Sequence, residues 1–155
     1  MRVLLDTNVI VSAVTTRGLC ADVFRVVLSE HDLVTCSKVP HEVRRILRNK
    51  FAVPEELISE YLELISQDAI VVEPKDLSGI RIKDKDDVEI VAAAVAGNVQ
   101  VLVTGDAELQ TIKTIQTVRV LSPRAFWQEL KDQQIISRPA GKAATVPVRR
   151  SSSGP

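Results

Sequence analysis

The stretch Val3-Leu-Leu-Asp-Thr-Asn-Val-Ile-Val11 decides the reading of this chain. Arg2 to Leu5 is a short apolar strand, and Asp6 ends it. Because Val9-Ile10-Val11 follows at once, the carboxylate lies between two apolar runs. A carboxylate in such surroundings needs hydrogen-bond donors or a metal ion. A cap or a solvated side chain is an ordinary reading for a lone acidic residue, but a weaker one for Asp6.

Beyond this start, strand-like and helix-like segments alternate. Residues 20–29 read as a helix with Val23, Phe24, Val27 and Leu28 on one face, and 33–36 as a strand. Ser37 is placed to cap a helix running to Arg48, with Val39, Val43, Ile46 and Leu47 turned inward. Pro54 suits the first turn of the next helix, which runs to about Ser66 with Leu57, Tyr61, Leu64 and Ile65 apolar. After a strand at 69–72 comes a long charged loop, 73–85. An Ala-rich helix then opens at Asp86 or Asp87 and ends at Gly97, read as its C′ residue. Strands at 100–104 and 117–121 follow, with a short helix after Asp106 and a last helix from Ser122-Pro123 to about Lys131. This order predicts an α/β fold: a single doubly wound parallel sheet with helices on both faces. Ligands of such sheets bind beyond the carboxyl ends of the strands.

Acidic residues gather at that edge. Asp6 and Asp106 each follow a strand, Asp84, Asp86 and Asp87 precede the Ala-rich helix, and Glu42 lies early in the helix after the second strand. Asp87 or Asp106 alone reads equally well as a helix cap, and Glu42 alone as a solvated residue. Together they bring carboxylates from four segments to one rim, which is unfavourable unless cations neutralise them. No Lys or Arg sits beside Asp6 or Asp106 in sequence. Hard oxygen donors suit Mg²⁺ or Mn²⁺.

The 155 residues hold 20 Lys+Arg and 20 Asp+Glu, 45% hydrophobic and 3% aromatic residues. That length suits one domain with a real core. The apolar content excludes a wholly disordered chain, and no run approaches the ~20 apolar residues of a membrane span. The start does not read as a signal peptide. Cys20 and Cys36, sixteen residues apart with no CxxC pair, read as reduced thiols of a cytosolic protein. Gln133 to Pro155 contains four basic and no acidic residues, and reads as a flexible basic tail behind a folded domain of residues 1–132. Positions 1–132 then carry 16 basic and 20 acidic residues. The zero total, which at first disfavours a nucleic-acid partner, thus conceals a mildly acidic body and a basic tail.

Val3-Leu-Leu-Asp-Thr-Asn-Val-Ile-Val-Ser-Ala13 resembles the opening of PIN-domain proteins. Glu42 with the Arg44-to-Phe51 continuation, Asp84-Lys-Asp-Asp-Val-Glu-Ile-Val-Ala-Ala-Ala94, and Val101-Leu-Val-Thr-Gly-Asp106 resemble the family's later motifs, in order, over about residues 1–130. The resemblance is nearest to single-domain bacterial PIN proteins regarded as toxins of toxin–antitoxin systems (VapC-like ribonucleases). It implies a Mg²⁺- or Mn²⁺-dependent ribonuclease in which Asp6, Glu42, Asp87 and Asp106 are catalytic metal ligands. Asn8 and Thr104 would be supporting groups, with Asp84 and Asp86 competing with Asp87 for the third role. RNA is the implied substrate and an antitoxin protein and a homodimer the implied partners. Arg44, Arg45, Arg48, Lys50, Lys83 and Lys85 are candidates for the RNA backbone, though each reads equally as solvated surface. Glu108 reads as helix surface rather than site. His41 points about 100° away from Glu42 on a helix and is not taken as a general base. No GxGxxG or P-loop pattern is present. The rival reading is a PIN-like module that binds RNA or protein without cutting.

Overall fold

The computed structural model describes residues 1–74 and 81–137, the side chains of Asp86 and 135–137 excepted. Its elements are β1 (Arg2–Leu5), α1 (Thr7–Thr15), α2 (Leu19–Glu30), β2 (Asp32–Thr35), α3 (Lys38–Asn49), α4 (Glu55–Asp68), β3 (Ile70–Val71), α5 (Lys85–Ala96), β4 (Val101–Val103), α6 (Ala107–Gln110), β5 (Thr114–Ile115), β6 (Val118–Leu121) and α7 (Pro123–Ser137). The strands form one sheet in the order β3-β2-β1-β4-β6-β5. Five run parallel, as the alternation of elements predicts. The sixth, β5, is an antiparallel edge strand that hairpins onto β6 through Gln116, whose φ is 51°. The sequence reading takes no strand there, because two residues carry no period.

Strand order reverses at β1, which has β2 on one side and β4 on the other. Right-handed crossovers leaving in opposite directions put helices on both faces. β1 and β4 are buried throughout apart from partly exposed Arg2, as continuous Val/Leu runs require in a sheet covered on both sides. The core joins these strands to Ile10, Val23, Val43, Leu47, Ile58, Ala93 and Phe126.

Several local expectations shift. The reading assigns no helix to Thr7–Thr15, a β-branched stretch of poor helix propensity. It is helical because Asp6 caps it and Val9, Ile10 and Val11 bury against the core, where α1 packs on α2 and α3. Ser37 stands at the start of α3 but makes no capping bond; its amide and hydroxyl donate to Glu73 instead. Pro54 precedes α4 rather than lying in its first turn. On α4 the buried residues are Ile58 and Ile65, whereas Leu57 and Leu64 are 45% and 43% exposed. Glu55, the first residue of α4, pairs with Arg44 and Arg48 of α3. Phe24 and Phe126 are core, but Phe51 is exposed. Helix α5 begins at Lys85, after the Asp84 carbonyl accepts from the amides of Asp87 and Val88. Helix α7 continues to Ser137, past the expected stop near Lys131. Residues 138–155, most of the expected tail, and 75–80 of the long loop lie outside the described residues. Among the described residues no helix is long and apolar enough to cross a membrane.

The end of α5 is a Schellman motif. The Val99 amide donates to the Ala94 carbonyl and that of Asn98 to Val95, so C′ is Asn98, at φ 54°, rather than Gly97. Gly97 is needed for close approach instead: a Cβ there would lie 2.9 Å from Val34 Cγ1 and 3.1 Å from Val72 Cγ2. Gly97→Ala is therefore expected to destabilise the fold by about 1–3 kcal/mol, as measured by urea denaturation; an unchanged midpoint would contradict this packing.

Candidate functional site

The site grows from the junction of β1 and α1. Asp6 continues the ladder of β1 through its amide, which donates to the Val103 carbonyl of β4 at 2.9 Å. It then turns the chain into α1 as N-cap, its own carbonyl accepting from Val9 and Ile10. One carboxylate oxygen accepts from the Thr7 amide at 2.7 Å, and the other from the Thr104 hydroxyl at 2.7 Å. Only 5% of Asp6 is exposed. Burial pushes its carboxyl above the ordinary carboxylate range; the bonds from Thr104 and Thr7 oppose that rise, nearby Asp106 adds to it, and the Lys38 ammonium opposes it.

Thr104 links two acidic residues. Fully buried at the end of β4, its hydroxyl donates to Asp6 and accepts from the Asp106 amide at 3.0 Å. Its carbonyl accepts from the Gln110 side chain. Asp106 in turn caps α6, one oxygen accepting from the amides of Glu108 and Leu109. The plain capping role is thus real for Asp106, and its half-buried side chain also faces the shared cleft.

That cleft, of about 150 Å³, is lined by Asp6, Thr7, Asn8, Glu42, Ile46, Asp84, Asp87, Ile90 and Asp106. Four segments distant in sequence meet there: the β1–α1 junction, α3, the start of α5 and the β4–α6 junction. Asn8 is exposed at the rim. Glu42 is largely buried, with the Arg45 guanidinium 3.9 Å away. Thr104 stands behind the wall rather than in it, and Glu108 is exposed on α6. The basic candidates fare differently. Arg44 and Arg48 both pair with Glu55, away from the acidic wall, while Lys50, Lys83 and Lys85 are exposed.

Three participants escaped the sequence reading. Thr7 lines the cleft with a buried hydroxyl that has no hydrogen-bond partner among the described residues, although its place beside Asp6 could have signalled it. Lys38 stands four residues before Glu42 and therefore on the same helix face. Its ion-pair partner Glu89, on α5, could not be found from spacing because the two helices meet only in the tertiary structure.

The donor set fits a hard divalent cation: it is all oxygen, from carboxylates, the Asn8 amide and the orphaned Thr7 hydroxyl. Among the described residues no three Asp, Glu, His or Cys side chains are already gathered closely enough to hold an ion, so the cleft is a lined hollow rather than a closed cage.

An open α/β sheet with an acidic cleft at its strand-order reversal defines a class of domain, and the comparisons specify it. The PIN-domain family model matches residues 2–108. The chain belongs to the PIN-domain family. Among solved structures, a chain of VapBC2 from Rickettsia felis, bound to a DNA fragment from its promoter, superposes with a TM-score of 0.57 at 17% identity, covering 79% of this chain and 98% of that one. A chain of VapBC-1 from nontypeable Haemophilus influenzae gives a TM-score of 0.55 at 21% identity, covering 80% and 99%. No curated protein matches the chain significantly.

The raised Asp6 pKa has a sign that can be measured. Below the ordinary value of 3.8 the carboxyl is neutral in both folded and unfolded chains, so it has no differential effect. As pH climbs through the raised folded value, charging the buried group is penalised and stability is lost. In metal-free buffer Asp6→Asn should therefore be more stable than wild type at pH 7, with the gap closing toward pH 3, in thermal melts across pH. A gap that widens in acid would reverse the assignment.

Proposed function

We propose that the protein is a metal-dependent endoribonuclease that hydrolyses RNA phosphodiesters, and the toxin of a toxin–antitoxin pair. The observation that carries this is the single cleft lined by Asp6, Asn8, Glu42, Asp84, Asp87 and Asp106 at the carboxyl edge of the sheet. Family membership and the fold likeness to VapBC proteins support the nuclease and toxin readings.

In this reading Asp6, Glu42, Asp87 and Asp106 hold Mg²⁺ or Mn²⁺, with Asp84 or Asp86 as an adjunct. When bound, the ion supplies Lewis acidity, easing the ionisation of water and neutralising charge on the phosphate. The protein contributes orientation. The Thr7 amide and Thr104 hydroxyl fix the plane of the Asp6 carboxylate, and the α6 amides fix that of Asp106. Asn8, exposed at the rim, would help orient the carboxylates or a metal-bound water. The RNA backbone would run past Arg45, Lys50, Lys83 and Lys85, with Arg44 and Arg48 contributing once released from Glu55. No Cys, Ser or His nucleophile is required.

Incubating an RNA pool with the protein and sequencing the cleaved ends tests this. Wild type should cut with Mg²⁺ or Mn²⁺, and EDTA or Asp6→Asn should reduce cutting to background. Thr104→Val, which removes the hydroxyl's bonds to the Asp6 carboxylate and the Asp106 amide, should lower activity about 10–100-fold. Cleavage that survives both EDTA and Asp6→Asn would sink the mechanism; metal binding without cleavage of any RNA would favour the non-catalytic binding module.

The toxin reading adds a cytoplasmic location, a small antitoxin that blocks the acidic cleft, and a homodimer. Purification from the native host should yield the chain bound to a small partner, and light scattering of the isolated protein a dimer mass. A lone monomer in both would contradict these partner assignments.

A further inference from the structure

Lys38 is the first residue of α3, where the positive end of the helix dipole disfavours a cation. Helix stability therefore does not explain a lysine at that place; its carboxylate neighbours do. Its ammonium lies 3.7 Å from Glu89 on α5, and only 17% of its side chain is exposed. One helical turn further on, the same face of α3 carries Glu42, which lines the acidic cleft, and Glu89 belongs to α5, the helix whose first turn supplies Asp87 to it. Lys38 thus spans the two helices that supply acidic groups to the cleft. Beside it opens a second hollow of about 250 Å³, lined also by Cys36, Ser37, Glu73 and Pro74. The charge of the ammonium also favours the ionised form of Asp6.

We propose that Lys38, held in place by Glu89, is a built-in counter-cation of the acidic cleft, which lowers the mutual repulsion of its carboxylates in the metal-free protein and sets how tightly the cleft binds divalent ions. Lys38 is a positioning residue that acts through Asp6 and Glu42. Its charge works in both directions. Without an added ion it offsets repulsion among the anions; with one, it repels the incoming cation and keeps affinity moderate.

Two measurements decide this, only the second of which rests on the proposed metal-dependent reading. The first is a double-mutant cycle in EDTA at low salt, read by urea unfolding of wild type, Lys38→Met, Asp6→Asn and the double variant. Lys38→Met should destabilise the wild-type background and have a clearly smaller effect where Asp6 is already neutral. The second is calorimetric titration with Mn²⁺ alone. Lys38→Met should bind about tenfold more tightly than wild type, while Lys38→Arg, which keeps the charge, should stay within about twofold. Additive stability changes would overturn the proposal, as would Mn²⁺ affinity left unchanged or weakened by Lys38→Met. If wild type binds no Mn²⁺, the metal-dependent reading fails, and the metal-free cycle still decides the role of Lys38.

Discussion

The buried carboxylate of Asp6 is the constraint around which the rest is arranged. It sits at the point of strand-order reversal and has to be accommodated in a nearly dry site. One oxygen is satisfied by the start of α1 and the other by Thr104 at the end of β4. Those two bonds tie the first strand, the first helix and the neighbouring strand to one side chain. The same residue begins α1, whose β-branched sequence gives little reason of its own to be helical. Much of the local order at this edge is thus the consequence of housing one acid.

Charge is distributed in layers around it. Thr104 couples Asp6 to Asp106 through a single hydroxyl, donating to one and accepting from the amide of the other. Lys38 and Glu89 form a bridge between the helices behind the cleft. Farther out, Glu55 holds Arg44 and Arg48 against α4. The basic face of α3 is therefore partly a structural clasp between two helices. Exposed ion pairs of this kind contribute little to stability.

The balance of 20 basic and 20 acidic residues acquires meaning only when mapped onto these layers. Acidic residues line the cleft, Arg44 and Arg48 pair with Glu55 away from it, and four further cations belong to positions 138–155 of the sequence. A neutral total is compatible with a nucleic-acid partner because the opposite charges lie in different places.

Sequence alone determined the alternation of elements, the α/β class and which acidic residues stand at the carboxyl edge. These are local properties: a run of Val and Leu ending in Asp6, or Val101-Leu-Val-Thr-Gly-Asp106, reports its own strand end. Tertiary structure decided what depends on neighbours remote in the chain. It made Thr7–Thr15 a helix, turned Ile58 and Ile65 rather than Leu57 and Leu64 inward, and moved the left-handed cap from Gly97 to Asn98. It also paired Lys38 of α3 with Glu89 of α5, a contact that spacing along either helix does not show. Spacing along one helix or strand can show which residues share a face. Which face is buried, and which charge it meets there, is set by packing between segments, and that information does not reside in either segment by itself.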